Sequence, residues 1–149
     1  MIKTHALSYS YNAEKKIHFQ DLKVDKGEQF LLLGESGSGK TTLLHLLGGL
    51  LKSQAGTIEV NGTDLTKLSE SGLDNFRGQH YGFIFQRNHL ISALSVEKNL
   101  LMAPYLAGLP QDRHRVEEVL AQLGIVDKKH AAIRELSLGQ AQRVAIARA

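Results

Sequence analysis

Apolar residues fall into three patterns along this chain. The first is the short unbroken run. Gln29–Gly34 (QFLLLG) and His80–Gln86 (HYGFIFQ) each crowd large side chains together, as expected of strands buried on both faces. The second is alternation: in GTIEVNGTDL, Ile58 and Val60 stand two apart before a turn at Asn61-Gly62, a hairpin signal. The third is helical spacing, which takes over after Gln86. Ser95 is placed to cap a helix running to Gly108, which Pro104 should kink or end early. From Asp112, residues Val116, Val119, Leu120 and Leu123 share one helical face, with Gly124 as the stop. A last helix begins after Ser137 and still runs at Ala149. The predicted organisation is a strand-rich part over 1–86, a helical part over 87–136, and an unfinished helix over 137–149.

One loop between these elements carries chemistry. GESGSGKT, Gly34 to Thr41, follows the first apolar run and opens the helix TTLLHLLGGLL. Gly34, Gly37 and Gly39 let the backbone curl with its N–H groups inward, where side chains would obstruct a triphosphate. The positive end of the following helix points at the same spot. Lys40 is placed for the β- and γ-phosphates, and the Thr41 hydroxyl for Mg²⁺. A glycine-rich turn before a core helix explains the glycines but not the Lys40-Thr41 pair. The candidate nucleotide-binding set is therefore Gly34, Glu35, Ser36, Gly37, Ser38, Gly39, Lys40, Thr41 and Thr42, with ATP and Mg²⁺ as the cofactors.

Composition narrows the classes. With 42% apolar residues the chain has enough material for a buried core. A net charge of +3, from 18 basic and 15 acidic residues, is too small and scattered to argue for nucleic acid. There is no cysteine, hence no disulfide or thiolate metal site. The seven histidines are dispersed without ligand spacing, so zinc is not expected. The opening MIKTHALSYSYN has no apolar core of a signal peptide, and no apolar run approaches the roughly 20 residues of a membrane span. Any membrane connection is expected to come through a partner.

Two further segments refine the reading. Gln86 is expected to end a strand, where its amide can reach a metal-bound water or simply terminate the strand. Ser137 and Gln140 have the spacing of a capping box, which suits either an ordinary surface helix or a helix tip that receives an anion. Taken in order, the phosphate loop, Gln86 and LSLGQ (Leu136–Gln140) resemble the ATP-binding subunits of ABC transporters, over nearly the whole chain. The likeness leans towards the compact bacterial type serving lipoprotein release and macrolide export. It implies an α/β fold: a P-loop NTPase (RecA-like) core, an N-terminal antiparallel β part and a helical subdomain, with the C-terminal portion of the core missing.

The resemblance also implies roles. Tyr11 matches the aromatic that stacks on adenine, although as a bare sequence feature it reads as a strand aromatic in a core. Gln86 matches the residue that senses Mg²⁺ and the γ-phosphate and couples to a transmembrane permease subunit. Ser137, Gly139 and Gln140 match the signature that contacts ATP held by an opposite, head-to-tail ATP-binding subunit, a second copy or a paired one. The place of action would be the cytoplasmic face of the inner membrane, with export favoured. Two departures stand out. Leu138 replaces the usual first glycine of the signature. No apolar run ends in Asp-Glu, the pair that in this family supports the metal and orients water, so the chain reads as an N-terminal piece. The alternatives are a nucleotide-binding fragment without turnover and an SMC or Rad50-like DNA-maintenance ATPase. The latter is disfavoured because no sustained heptads separate Gln86 from Ser137.

Overall fold

In the computed structural model, which describes residues 1–12 and 16–149, the N-terminal part forms an antiparallel sheet. Its hub is β1 (Ile2–Ser10), which pairs with β2 (Lys16–His18), β3 (Lys23–Val24) and β4 (Ala55–Val60). β4 turns back into β5 (Thr63–Asp64) through Asn61 and Gly62, both at positive φ (50° and 83°), as the sequence predicts. β1 is not regular. Its pairing with β4 shifts between His5 and Ser8, and Ala6 sits at φ 49°. Asp21 holds this bulge, accepting from the Ala6 N–H (2.7 Å) and bonding the His5 ring (2.8 Å). Opposite it, any Cβ on Gly56 (φ 81°) would run into the carbonyl oxygens of His5 and Ala6.

These residues belong to the first of two compact units, Met1–Asp74, which also holds helix α1 (Lys40–Leu47). Leu46, Ile58, Leu65 and Leu73 close around one small hollow and form part of its core. The second unit, Asn75–Ala149, contains α3 (Val96–Leu106), α4 (Arg113–Gln122) and α5 (Leu138–Arg148). Val96, Leu100, Leu101, Val116, Leu120, Ile125 and Val144 make its core. The predicted cap Ser95 is in place, accepting from Lys98 N–H, and the structure adds Asp112, which accepts from Arg115 N–H. Helix α3 continues past Pro104 to Leu106, so the proline does not stop it there.

Three expectations need correction. Helix α2 (Glu70–His80) lies where strands and turns were expected. Its cap is Ser69, whose Oγ accepts from Gly72 N–H at 3.1 Å. Gln29–Gly34 is not a buried strand, and neither is His80–Gln86, whose first residue ends α2. An interior strand needs hydrogen-bonding neighbours along its edges, and among the described residues none aligns with either segment. Leu31 and Leu33 are consequently 76% and 78% exposed. The second segment keeps strand-like side-chain alternation: Tyr81, Phe83 and Phe85 stack with ring centroids 5.5 and 5.7 Å apart. Burial pushes the Tyr81 hydroxyl up to about 12.

Candidate functional site

Helix α1 starts without a cap. The residue before it, Gly39, is left-handed (φ 93°) and offers no side chain to the first-turn amides. Those N–H groups have no intrahelical partner and face outward with the helix's positive end. Gly37 (φ 80°) makes the other sharp bend, and a Cβ there would meet nothing within 4 Å. Gly39 is different. A side chain there would press on Ile17 and Phe19, which come within 3.3 Å of an added Cβ, so glycine lets the loop lie against β2.

The result is an open hollow of about 450 Å³, lined by Tyr11, Ile17, Ser36, Gly37, Gly39, Lys40, Thr41 and Thr42. The Lys40 ammonium bends back over the loop, donating to the carbonyls of Gly34 (2.7 Å) and Glu35 (2.6 Å), with Ser38 Oγ at 3.5 Å. This fixes the charge beside the hollow before any ligand arrives. The Ser38 N–H turns in to the Glu35 carbonyl at 3.3 Å. Thr41 is exposed, leaving its hydroxyl accessible, whereas Thr42 is buried. An uncapped helix tip, a restrained ammonium and a free hydroxyl suit a polyphosphate with a divalent cation. Among the described residues no acidic side chain lines this hollow. A second hollow of about 320 Å³ is bordered by Phe30, Leu32, Leu33 and Leu43 together with the polar groups of His18, Asp21, Ser38 and Lys40.

Tyr11 stands at the rim on the far end of β1. It is 62% exposed rather than buried in a core, and its hydroxyl lies 2.9 Å from Thr42 Oγ1. Nothing in the local sequence announces that contact, because 31 positions separate the partners. The first unit thus brings Tyr11 and the loop residues together.

The remaining candidates belong to the second unit. Gln86 is exposed on the unpaired segment. The chain beyond it is held from two sides. Arg148 donates to the carbonyls of His89 (2.7 Å) and Asn88 (3.0 Å), while the buried Asn99 amide accepts from Ile91 N–H and donates to the carbonyls of Ile91, Leu94 and Ser95. Neither clamp was foreseen from the sequence. At the tip of α5 the capping box closes reciprocally: Ser137 Oγ accepts from Gln140 N–H (3.2 Å), and Gln140 Oε1 from Ser137 N–H (2.9 Å). Gly139 is open, and Leu138 beside it is 83% exposed.

The shifted ionisations do not line the hollow. The His5 hydrogen bond holds the Asp21 carboxyl below its ordinary value, helped by Ala6 N–H. The Lys129 ammonium does the same for Glu117 and is itself raised by that carboxylate. Among the described residues no helix is long and apolar enough to cross a membrane.

Comparison with known proteins gives a consistent result. The family model described as ABC transporter matches residues 17–149. The lipoprotein-releasing system ATP-binding protein LolD of Bacteroides thetaiotaomicron is 36% identical over 151 aligned positions, covering 100% of this chain and 69% of that protein. The macrolide export ATP-binding/permease protein MacB of Escherichia coli K12 is 43% identical over 130 residues, covering 86% of this chain but only 20% of MacB. Among solved structures, the dimeric structure of MJ0796, a bacterial ABC transporter cassette, has a TM-score of 0.88 at 30% identity and covers 99% of this chain and 68% of that one. A post-hydrolysis dimer of the same cassette, bound to ADP and Pi, has a TM-score of 0.88 at 29% identity.

Proposed function

This chain belongs to the ABC transporter family, and from that premise we propose that its first unit binds Mg-ATP to power transport through a membrane partner. The observation carrying this reading is the uncapped tip of α1 facing a hollow beside which Lys40 is already restrained. In this scheme the amides from Gly34 to Thr42 cradle the phosphates, and Lys40 neutralises their terminal charge. The Thr41 hydroxyl would hold Mg²⁺, and Tyr11 would stack on the adenine. Bound Mg²⁺ supplies charge neutralisation at the phosphate oxygens.

Ser137, Gly139 and Gln140, at the tip of α5 where Gly139 is open, contact the γ-phosphate of ATP held by another ATP-binding subunit. Gln86, at the start of a doubly clamped segment, conveys the state of the site to a transmembrane permease. Export at the cytoplasmic face of the inner membrane is the direction and place proposed. The likeness to LolD and MacB supports it.

The test is a calorimetric titration with Mg-ATP. Replacing Lys40 by Ala removes charge-assisted bonds worth about 1.5–3 kcal/mol, so affinity is expected to fall roughly ten- to a hundredfold. Equal affinity in both proteins rejects the assignment.

A second reading is favoured by the lining of the hollow, which among the described residues holds no carboxylate to orient water. On that reading the chain binds nucleotide and turns it over negligibly. Steady-state phosphate release by the purified chain decides between the two.

A further inference from the structure

Tyr11 presents an unusual combination of exposure and restraint. Its ring is largely in solvent beside the loop, yet three groups fix it. Its hydroxyl lies 2.9 Å from Thr42 Oγ1, in the first turn of α1. Tyr9 meets it edge-on, with centroids 4.9 Å apart at 79°. The preceding residue, Ser10, is gripped by Gln54, whose amide accepts from Ser10 N–H and donates to the Ser10 carbonyl, both at 2.9 Å. A free surface tyrosine would rotate among several rotamers. This one is aimed.

We propose that Thr42 is a positioning residue for the nucleobase: its hydroxyl, bonded to that of Tyr11, presets the ring as the platform on which a planar base stacks. The inference rests on the nucleotide reading above and adds to it a division of labour. Lys40 and the loop amides hold polyphosphate whatever it carries. Thr42, acting through Tyr11, adds affinity only when a base is attached. Thr42 suits this task because it is just 5% exposed, so its own side chain is held by the surrounding core. A tether between one fixed and one exposed group restricts the exposed one, and restriction before binding lowers the ordering cost at binding.

The quantity to measure is the advantage of ATP over inorganic tripolyphosphate, the ratio of their dissociation constants in the presence of Mg²⁺. Effects of a variant on phosphate binding cancel in that ratio. The proteins are the full chain, Thr42→Val, Thr42→Ser, Tyr11→Phe and the double variant Tyr11→Phe/Thr42→Val. Removing either hydroxyl is expected to reduce the advantage about two- to tenfold, the range of one net hydrogen bond. Thr42→Ser should restore it, and the double variant should lose no more than either single one. Tyr11→Phe lies at an exposed position and keeps the ring, so it tests the tether even if Thr42→Val folds poorly.

An unchanged advantage in Tyr11→Phe, a Ser variant as poor as Val, or additive losses in the double variant would each overturn the proposal. So would a wild-type chain that binds tripolyphosphate as tightly as ATP; in that case the phosphate site itself survives. If tripolyphosphate binds wild type no better than Lys40→Ala, the nucleotide reading falls and this inference with it.

Discussion

Asn99 is the polar group on which the second unit depends most visibly. It is 1% exposed on α3, and all of its side-chain hydrogen bonds run to the backbone of the segment Ile91–Ser95. Replacing it with Leu keeps the approximate volume and removes these bonds. Not every partner is then orphaned. The Ile91 carbonyl still receives Leu94 N–H (3.0 Å), and the Ser95 carbonyl still receives the backbone N–H of residue 99 (2.9 Å). The Ile91 N–H and the Leu94 carbonyl lose the bonds described here. At about 1–3 kcal/mol for each buried unsatisfied group, the pair would cost roughly 2–6 kcal/mol. Ile91 is 43% exposed, so water recovers much of its share and the low end, about 2 kcal/mol, is expected. Urea unfolding of the full chain, with amide exchange at Ile91 and Leu94 as local probes, measures it. A shift below about 0.5 kcal/mol with unchanged exchange would show that the loop does not need the amide, refuting the accounting.

Three other outcomes follow from the same geometry. Gly56→Ala is expected to destabilise the first unit by more than 2 kcal/mol, on the order of a backbone clash plus an unfavourable φ, read by thermal unfolding. Ser137→Ala should cost about 1 kcal/mol of helix stability and raise amide exchange at Gln140, while Ser137→Thr should not. The Glu117 carboxylate is held below its ordinary 4.5 by Lys129, so its contribution is complete above that value and fades as pH falls through the lowered one. Lys129 is raised above 10.5, so its half fades only on the alkaline side. Glu117→Gln should therefore lower stability at neutral pH and flatten part of the acid limb. An unaltered acid limb would count against the pair.

Much of the molecule was readable where local chemistry is decisive. The turn at Asn61-Gly62 needs positive φ, and the residues that tolerate it stand there. Ser95 and Ser137 cap helices because short oxygen-bearing side chains reach the amides just ahead. The bends of the loop over 34–41 were legible for the same reason: Gly37 and Gly39 stand where positive φ is needed, and Lys40 bonds back within a few positions. Helix α2 was missed because only Leu73 and Phe76 mark its apolar side, too little for a period. The segments at 29–34 and 81–86 were misread because an apolar run signals the wish for burial, whereas a strand also requires neighbours. The Tyr11–Thr42 tether, the Arg148 clamp and the Ala6 bulge join residues far apart in sequence, or an alanine at an unusual φ, and composition carries no trace of them.

The bare stretch from Phe30 to Leu33 sets how this chain behaves in company. Apolar and, among the described residues, engaged by no strand along its main chain, it can zip onto the same stretch of another molecule. Such edge-to-edge growth has no symmetry that closes it, so each added molecule presents a fresh edge. Solutions of this chain should cloud with rising concentration, and a charged residue at position 31 should clear them.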